Sequence, residues 1–203
     1  MVLMTNQLPL KLMTTINAPE TLDDLELLKL ISDERSKLAL TEFYDRYRHS
    51  LGGFIRQKVY QDKLVDEIYN DVMLTVWQKA DQFRGESKVS TWIFGIAYRM
   101  CMAQSRKEMK HTENMGEVEF DDMPAKQHEE NETEMIDQLR CATSKLGDAH
   151  RTVIELTYFQ GHSLTEVAEI MRCPVNTVKT RLFHARNNLK NSLLNRKVVN
   201  EQF

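Results

Sequence analysis

The sequence predicts an all-α fold of two small helical domains joined by a flexible acidic linker. Three observations carry that expectation. Glycine and proline are scarce, at 7 and 4 of 203 residues, while helix-favouring side chains are plentiful. Apolar residues recur at three- and four-residue spacing over long stretches, and no strand-like alternation persists. Between the helical stretches, residues 113–137 hold ten acidic residues against one basic residue, Lys126. That segment has no apolar period and reads as a tether. The resulting division is an N-terminal extension over 1–20, a helical domain over 21–110, a linker over 111–133, a second helical domain over 134–197 and a tail over 198–203.

The first helix begins near residue 21, with Leu22, Leu25, Leu28 and Ile31 on helical spacing and Asp23 and Asp24 in the first turn. A second helix spans about 36–60, with Phe43, Tyr47, Leu51, Phe54 and Ile55 as its apolar stripe. Gly52 and Gly53 interrupt that stretch and suggest a kink or a close helix contact. The third helix, about 64–80, places Val65, Ile68, Tyr69, Val72 and Val76 on one face and Asp66, Glu67, Asn70 and Asp71 on the other. A polar loop follows: Phe83, Arg84, Gly85, Glu86, Ser87 and Lys88. The fourth helix covers about 91–110 and buries Trp92, Ile93, Ile96, Ala97 and Met100. Arg99, Arg106 and Lys110 recur at i, i+7 and i+11 along one exposed line. Trp92 lies on the buried stripe and Trp77 near its boundary, so both read as core rather than as stacking platforms.

Helical patterning resumes near residue 134, with breaks at Gly147, Gly161 and Pro174. The formal net charge of the chain is -3, yet residues 138–197 carry ten basic residues against four acidic ones. Within that basic module, residues 163–189 read as two helices around a tight turn at Arg172, Cys173 and Pro174. Leu164, Val167, Ala168 and Met171 face inward from the first helix, and Val178, Leu182, Ala185 and Leu189 from the second. The outer face carries Asn176, Lys179, Thr180, Phe183, His184 and Asn187. A helix of this kind fits the major groove with its N-terminal side chains at base edges. Asn176, Thr177, Lys179 and Thr180 are hydrogen-bonding residues in that place, and Arg181, Arg186 and Lys190 suit phosphates. The bland alternative is an ordinary helical hairpin with a solvated basic face.

Several segments together resemble the sigma-70 family of RNA polymerase specificity subunits, in its extracytoplasmic-function group. Residues 43–47 (FYDRY), 66–72 (DEIYNDV), 83–85 (FRG) and 90–97 (STWIFGIA) look like region 2. Residues 151–156 (RTVIEL), 161–170 (GHSLTEVAEI) and 176–186 (NTVKTRLFHAR) look like region 4. The resemblance covers about residues 38–107 and 138–193. It implies promoter-specific initiation without catalysis. Asp66, Glu67, Asn70 and Asp71 would dock on the clamp helices of the largest subunit of the bacterial polymerase core, whose β-subunit flap is a further partner. The loop at 83–88, with Arg99, Arg106 and Lys110, would engage the -10 element and hold a base flipped from the non-template strand. Asn176, Thr177, Lys179, Thr180, Arg181, His184 and Arg186 would read the -35 element as duplex. An anti-sigma factor, a cytoplasmic location, and the absence of a cofactor, metal or membrane insertion are further implications.

The chain departs from the family pattern in places. Asn70 stands for a usual Gln, Met73 for Phe, Arg99 for Asn and Ala103 for Asp. Gly147 replaces a usual Pro, Arg172 a turn Gly, and His184 a common Arg. The three cysteines, Cys101, Cys141 and Cys173, form no CxxC pair and read as free thiols of a reducing compartment. A conventional helix-turn-helix regulator acting without polymerase is the competing reading. Its usual receiver domain would need alternating strands and helices, and the N-terminal half carries only helical pattern.

Overall fold

The computed structural model describes residues 22–59, 61–115, 143 and 145–200, with side chains omitted for 109–115 and 193–200. Among these residues all regular structure is helical. Helix α1 (Asp24–Asp33) starts later than the periodicity suggested, because Asp23 caps it. The Glu26 backbone N–H donates to Asp23 Oδ1 at 2.8 Å, and the Asp23 N–H donates to Glu26 Oε2 at 2.9 Å. That register buries Leu27, Leu28 and Ile31 and leaves Leu25 outside at 41% exposure.

Helix α2 (Lys37–Arg56) is capped by Ser36 and buries the whole expected stripe from Phe43 to Ile55. It runs through Gly52 and Gly53 unbroken, ending short of the expected residue 60. A Cβ at either glycine would meet nothing within 4 Å, so neither marks a close helix contact. Helix α3 (Asp62–Lys79) turns its predicted apolar face inward and adds Met73 to it. A single 3-10 turn (Ala80–Gln82) leads to the loop and then to α4 (Val89–Met115), which continues into the expected linker.

In the second module, α5 (Asp148–Ile154) opens at Gly147 and passes into a π-helical turn (Glu155–Phe159). Gly161, at φ +70, ends that segment. Helix α6 (Leu164–Met171) is capped by Ser163 and Glu166 in a reciprocal box. Helix α7 (Val175–Asn200) follows after a short turn and extends into the expected tail. The extension 1–20, most of the linker, and the helical start expected at 134 lie outside the described residues.

Helix α4 organises the molecule. Phe54 and Phe94 meet at 5.3 Å between ring centroids, tying α4 to α2. On its other side α4 packs on α6, and one continuous apolar core holds Ile93, Phe94 and Ala97 together with Val153, Leu156, Val167, Ala168 and Ile170. The sequence set the two modules apart; the fold places them in direct contact. Gly95 makes the crossing close: a Cβ there would lie 3.9 Å from the Ile170 Cα and 3.2 Å from an Arg99 nitrogen.

His162 sits at this junction, 5% exposed, its ring 5.0 Å from that of Phe94. Its Nε2 has no hydrogen-bond partner. Burial pushes its pKa below the ordinary 6.5 against the attraction of Glu166, and Lys88 pushes the same way as burial. The folded chain therefore binds this proton less readily than the unfolded chain. Its contribution to stability is complete above pH 6.5 and declines as pH falls towards the depressed native value. Thermal unfolding should show a lower Tm at pH 5.5 than at pH 7.5, with His162→Phe narrowing the difference. An unchanged pH dependence in that variant would remove His162 as its source.

Candidate nucleic-acid interface

Three surfaces emerge from this frame. The first is the outer face of α3. Asp66, Glu67, Asn70 and Asp71 are all exposed there, because the opposite face is spent on the core. Asn70 Oδ1 accepts from the Tyr44 hydroxyl at 3.1 Å, and Glu67 is only loosely paired with Lys63 at 4.0 Å. The carboxylates are thus free to meet a basic partner.

The second surface is the loop at 83–88 and the start of α4. Gly85 adopts φ +72, a conformation that lets the loop turn back. Phe83 packs on Trp92 at 5.5 Å between centroids, which anchors the loop to α4. Arg84, Gly85, Glu86 and Lys88 remain exposed, and Phe83 and Ser87 are half-buried. Beside them lies an open pocket of about 540 Å³ lined by Phe83, Gly85, Ser87 and Lys88 together with Asp24 and Arg46. Asp24 and Arg46, paired at 3.0 Å, were missed by the sequence reading. No local motif marks them, since α1 and α2 bring them to the loop only in three dimensions. Trp77 and Trp92 are both half-buried against the core, and Arg35 lies over the Trp77 ring at 5.8 Å.

The basic line on α4 needs correction. Arg99 is half-buried rather than exposed, with its Nη1 3.2 Å from where a Cβ at Gly95 would lie, beside the α4–α6 crossing. Burial, and next the nearby Arg172, push its guanidinium pKa below the ordinary value. Arg106 is exposed, its Nε donating to the Met102 carbonyl at 3.1 Å. The Lys110 side chain lies outside the described residues.

The third surface is the helix-turn-helix of α6 and α7. The Cys173 N–H donates to the Ala168 carbonyl at 3.0 Å, closing α6. Arg172 takes the left-handed conformation, φ 49 and ψ 51. The Pro174 carbonyl accepts from the Thr177 N–H at 2.9 Å and starts α7. Val178, Ala185 and Leu189 point inward. Asn176, Lys179, Thr180, His184 and Arg186 are exposed on the outer side, while Thr177 and Arg181 are half-buried. Thr180 Oγ1 donates to the Asn176 carbonyl at 3.0 Å, leaving its oxygen as an acceptor. Phe183, 61% exposed, adds an apolar contact on the same side. The Cys101 thiol is buried and pushed up to about 12 by that burial, which makes it a poor nucleophile.

The described residues thus present an acidic helix face, a loop beside an open pocket and a helix-turn-helix with exposed polar and basic side chains. Comparison with known proteins agrees. The family model described as "Sigma-70 region 2" matches residues 43–111, and that described as "Sigma-70, region 4" matches residues 136–189. The chain belongs to the sigma-70 family of RNA polymerase sigma factors. Several of the relatives it resembles are named ECF RNA polymerase sigma factors. The ECF RNA polymerase sigma factor RpoE of Cereibacter sphaeroides is 28% identical over 168 residues, covering 79% of this chain and 89% of that protein. The ECF RNA polymerase sigma-E factor of Haemophilus influenzae is 26% identical over 186 residues, covering 86% and 97%. The fold resembles that of RpoE in its co-crystal with the anti-sigma factor NepR from Bartonella quintana. There the TM-score is 0.64 at 22% identity, covering 75% of this chain and 97% of that one.

Arg172 offers a direct test of the turn. A non-glycine residue in the left-handed region costs about 1–2 kcal/mol, and here it also faces Arg99. Arg172→Gly should raise Tm by a few degrees in thermal unfolding. An unchanged or lower Tm would mean that the arginine side chain makes a compensating contact.

Proposed function

We propose that the three surfaces divide the work of promoter recognition. The acidic face of α3 (Asp66, Glu67, Asn70, Asp71) docks on the clamp helices of the largest polymerase subunit. The second module contacts the β-subunit flap. The loop at 83–88 receives an unstacked base of the -10 element in the adjoining pocket, with Arg99, Arg106 and Lys110 along the phosphates. Asn176, Thr177, Lys179 and Thr180 meet base edges of the -35 duplex, while Arg181, His184 and Arg186 hold its backbone. Residues 21–110 and 134–197 act as separate functional units joined by the acidic segment. The protein works in the cytoplasm beside polymerase and catalyses nothing itself. An anti-sigma factor that covers the α3 and α7 faces is its expected regulator.

The observation that carries this reading is the opposition of charge. The exposed carboxylates of α3 repel DNA, and the exposed cations of α7 attract it, so one chain presents a protein-facing and a DNA-facing helix. The competing regulator would use only the second. Among the described residues no helix is long and apolar enough to cross a membrane.

Run-off transcription with purified core polymerase on a pool of genomic fragments tests the proposal. Transcripts should depend on the protein and share two spaced upstream elements. The double variant Glu67→Lys, Asp71→Lys should lose core binding while its isolated DNA affinity does not fall. Lys179→Ala should keep core binding and weaken promoter use by about tenfold, the effect of one lost base or phosphate contact. Tight promoter binding by the free chain without any stimulation of polymerase would instead identify the conventional regulator.

A further inference from the structure

The pocket beside the loop at 83–88 is lined in part by an ion pair from the first two helices. Asp24 opens α1, and Arg46 lies midway along α2. Asp24 Oδ1 accepts from Arg46 Nη1 at 3.0 Å, and Asp24 Oδ2 accepts from the Tyr47 hydroxyl at 2.5 Å. Burial, and next the bond to Asp24, push the Tyr47 pKa up, so that hydroxyl keeps its proton and goes on donating. Arg46 Nη1 also donates to the Leu22 carbonyl at 2.9 Å, and Arg46 Nη2 donates to Glu42 Oε1 at 2.8 Å. The Asp24 carboxylate is therefore held from two sides, on a helix whose first turn is itself fixed by the Asp23–Glu26 box.

Counting donors and acceptors shows what this pair offers a ligand. An ionised carboxylate has about four lone-pair sites and no proton to give. Arg46 and Tyr47 engage one site on each oxygen, which leaves each oxygen able to accept again. Arg46 is less available: both N–H groups of its Nη1 are spent on Asp24 and Leu22, and Nη2 is already bonded to Glu42. The Asp24 side chain is 34% exposed, so a ligand in the pocket can reach it. Leu25 and Phe83 add apolar surface to the lining, against which a flat ring can lie. Ser87 and Ser90 add hydroxyls, which both donate and accept. Arg84 and Lys88 are exposed on the same loop and suit a phosphate.

We infer that Asp24 is a specificity-determining residue for the -10 element, its carboxylate accepting a hydrogen bond from the exocyclic amino group of the base held in this pocket. The inference rests on the assignment of the pocket to the -10 element above, and it names the class of base that the pocket takes. Cytosine, adenine and guanine each carry an amino group, whereas thymine carries none. Thymine would set carbonyl oxygens against a fixed carboxylate, and like partial charges repel. Tyr47, which is not part of the lining, acts through Asp24 as a positioning residue.

Holoenzyme assembled from purified core polymerase and the full chain tests this on promoter templates found by run-off transcription. The templates are left unpaired across the -10 element, so that base changes do not alter duplex stability. At each non-template position the natural base is replaced by the analogue that lacks only its amino group: 2-pyrimidinone for cytosine, purine for adenine, hypoxanthine for guanine. At one position the substitution should weaken holoenzyme binding by about tenfold or more, the effect of one lost hydrogen bond to a charged group. The analogue that produces the loss identifies the base. Thymine at that position should weaken binding as well. With Asp24→Asn the loss at that position should become minor. A purely structural Asp24 would instead weaken binding to all templates by one factor and leave their ratios unchanged, which would overturn the inference. Indifference of the unmodified chain to every amino deletion would also overturn it. Should Asp24→Asn fail to join core polymerase, Tyr47→Phe is the second variant. It keeps the ion pair and should lower discrimination at the same position and at no other; unchanged discrimination would count against the positioning of Asp24. Binding that prefers promoter templates but ignores the amino group removes this inference alone. Holoenzyme that shows no preference for promoter templates removes the promoter reading with it.

Discussion

Helix α4 must be buried on two sides, and most of the structure answers to that constraint. One side lies against α1, α2 and α3 through Phe54, Phe94, Ile93 and Ala97. The other lies against α6 through Gly95 and Ile170. Seven residues in succession, Ile93 to Ala97 with Thr91 and the half-buried Trp92, leave almost no solvent face in its first two turns. A helix apolar around its whole circumference belongs inside a molecule. The first module alone supplies cover for only one flank. The second module supplies the rest, and the loop that carries Lys88 is fixed between them.

The junction mixes apolar contact with polar groups that are costly to bury. Apolar contact between α4 and α6 favours closure without direction. Lys58, Glu155 and Glu166 give it register, because each takes a partner from the other module, Asp148, Gln57 and Lys88 in turn, only when the modules meet in one orientation. Desolvation lowers the Lys58 pKa, and the attraction of Asp148 does not outweigh it. The charged pair therefore specifies the arrangement more than it strengthens it. An interface of this composition holds one geometry and still separates when a stronger set of contacts is offered.

Much of the fold was legible because helical periodicity reports the core directly. The stripes of α2 and α3 are buried as their spacing implies, as are the inward residues of α6 and α7 except Leu164 and Leu182, which are half-buried. The register of α1 was not, because a capping box depends on which of two adjacent aspartates accepts the Glu26 N–H. Gly52 and Gly53 misled for a different reason: glycine signals permission for close approach, and the approach itself occurs at Gly95, within an apolar run. The left-handed turn at Arg172 was legible only through the glycine expected there. Among the site residues, those on one helix face could be read from spacing. Arg99 could not, since it lies beside the α4–α6 crossing, whose other side, at Ile170, is some seventy residues further along the chain. Lys58 and Glu155 carry no local mark at all, because their partners across the junction, Asp148 and Gln57, lie ninety or more residues away in sequence.

The proposed division of recognition among several weak surfaces answers a difficulty that charge alone creates. A basic helix such as α7 binds any DNA through phosphates, with an affinity that charge alone supplies. A chain that relied on such a helix alone would spend its time on random duplex. On the proposed assignment polymerase meets the exposed α3 face and so adds binding energy that random DNA cannot. Once both modules are held on one scaffold, each promoter element is met at high effective concentration. Selectivity then comes from requiring two elements and a protein partner together, and no single surface has to be tight.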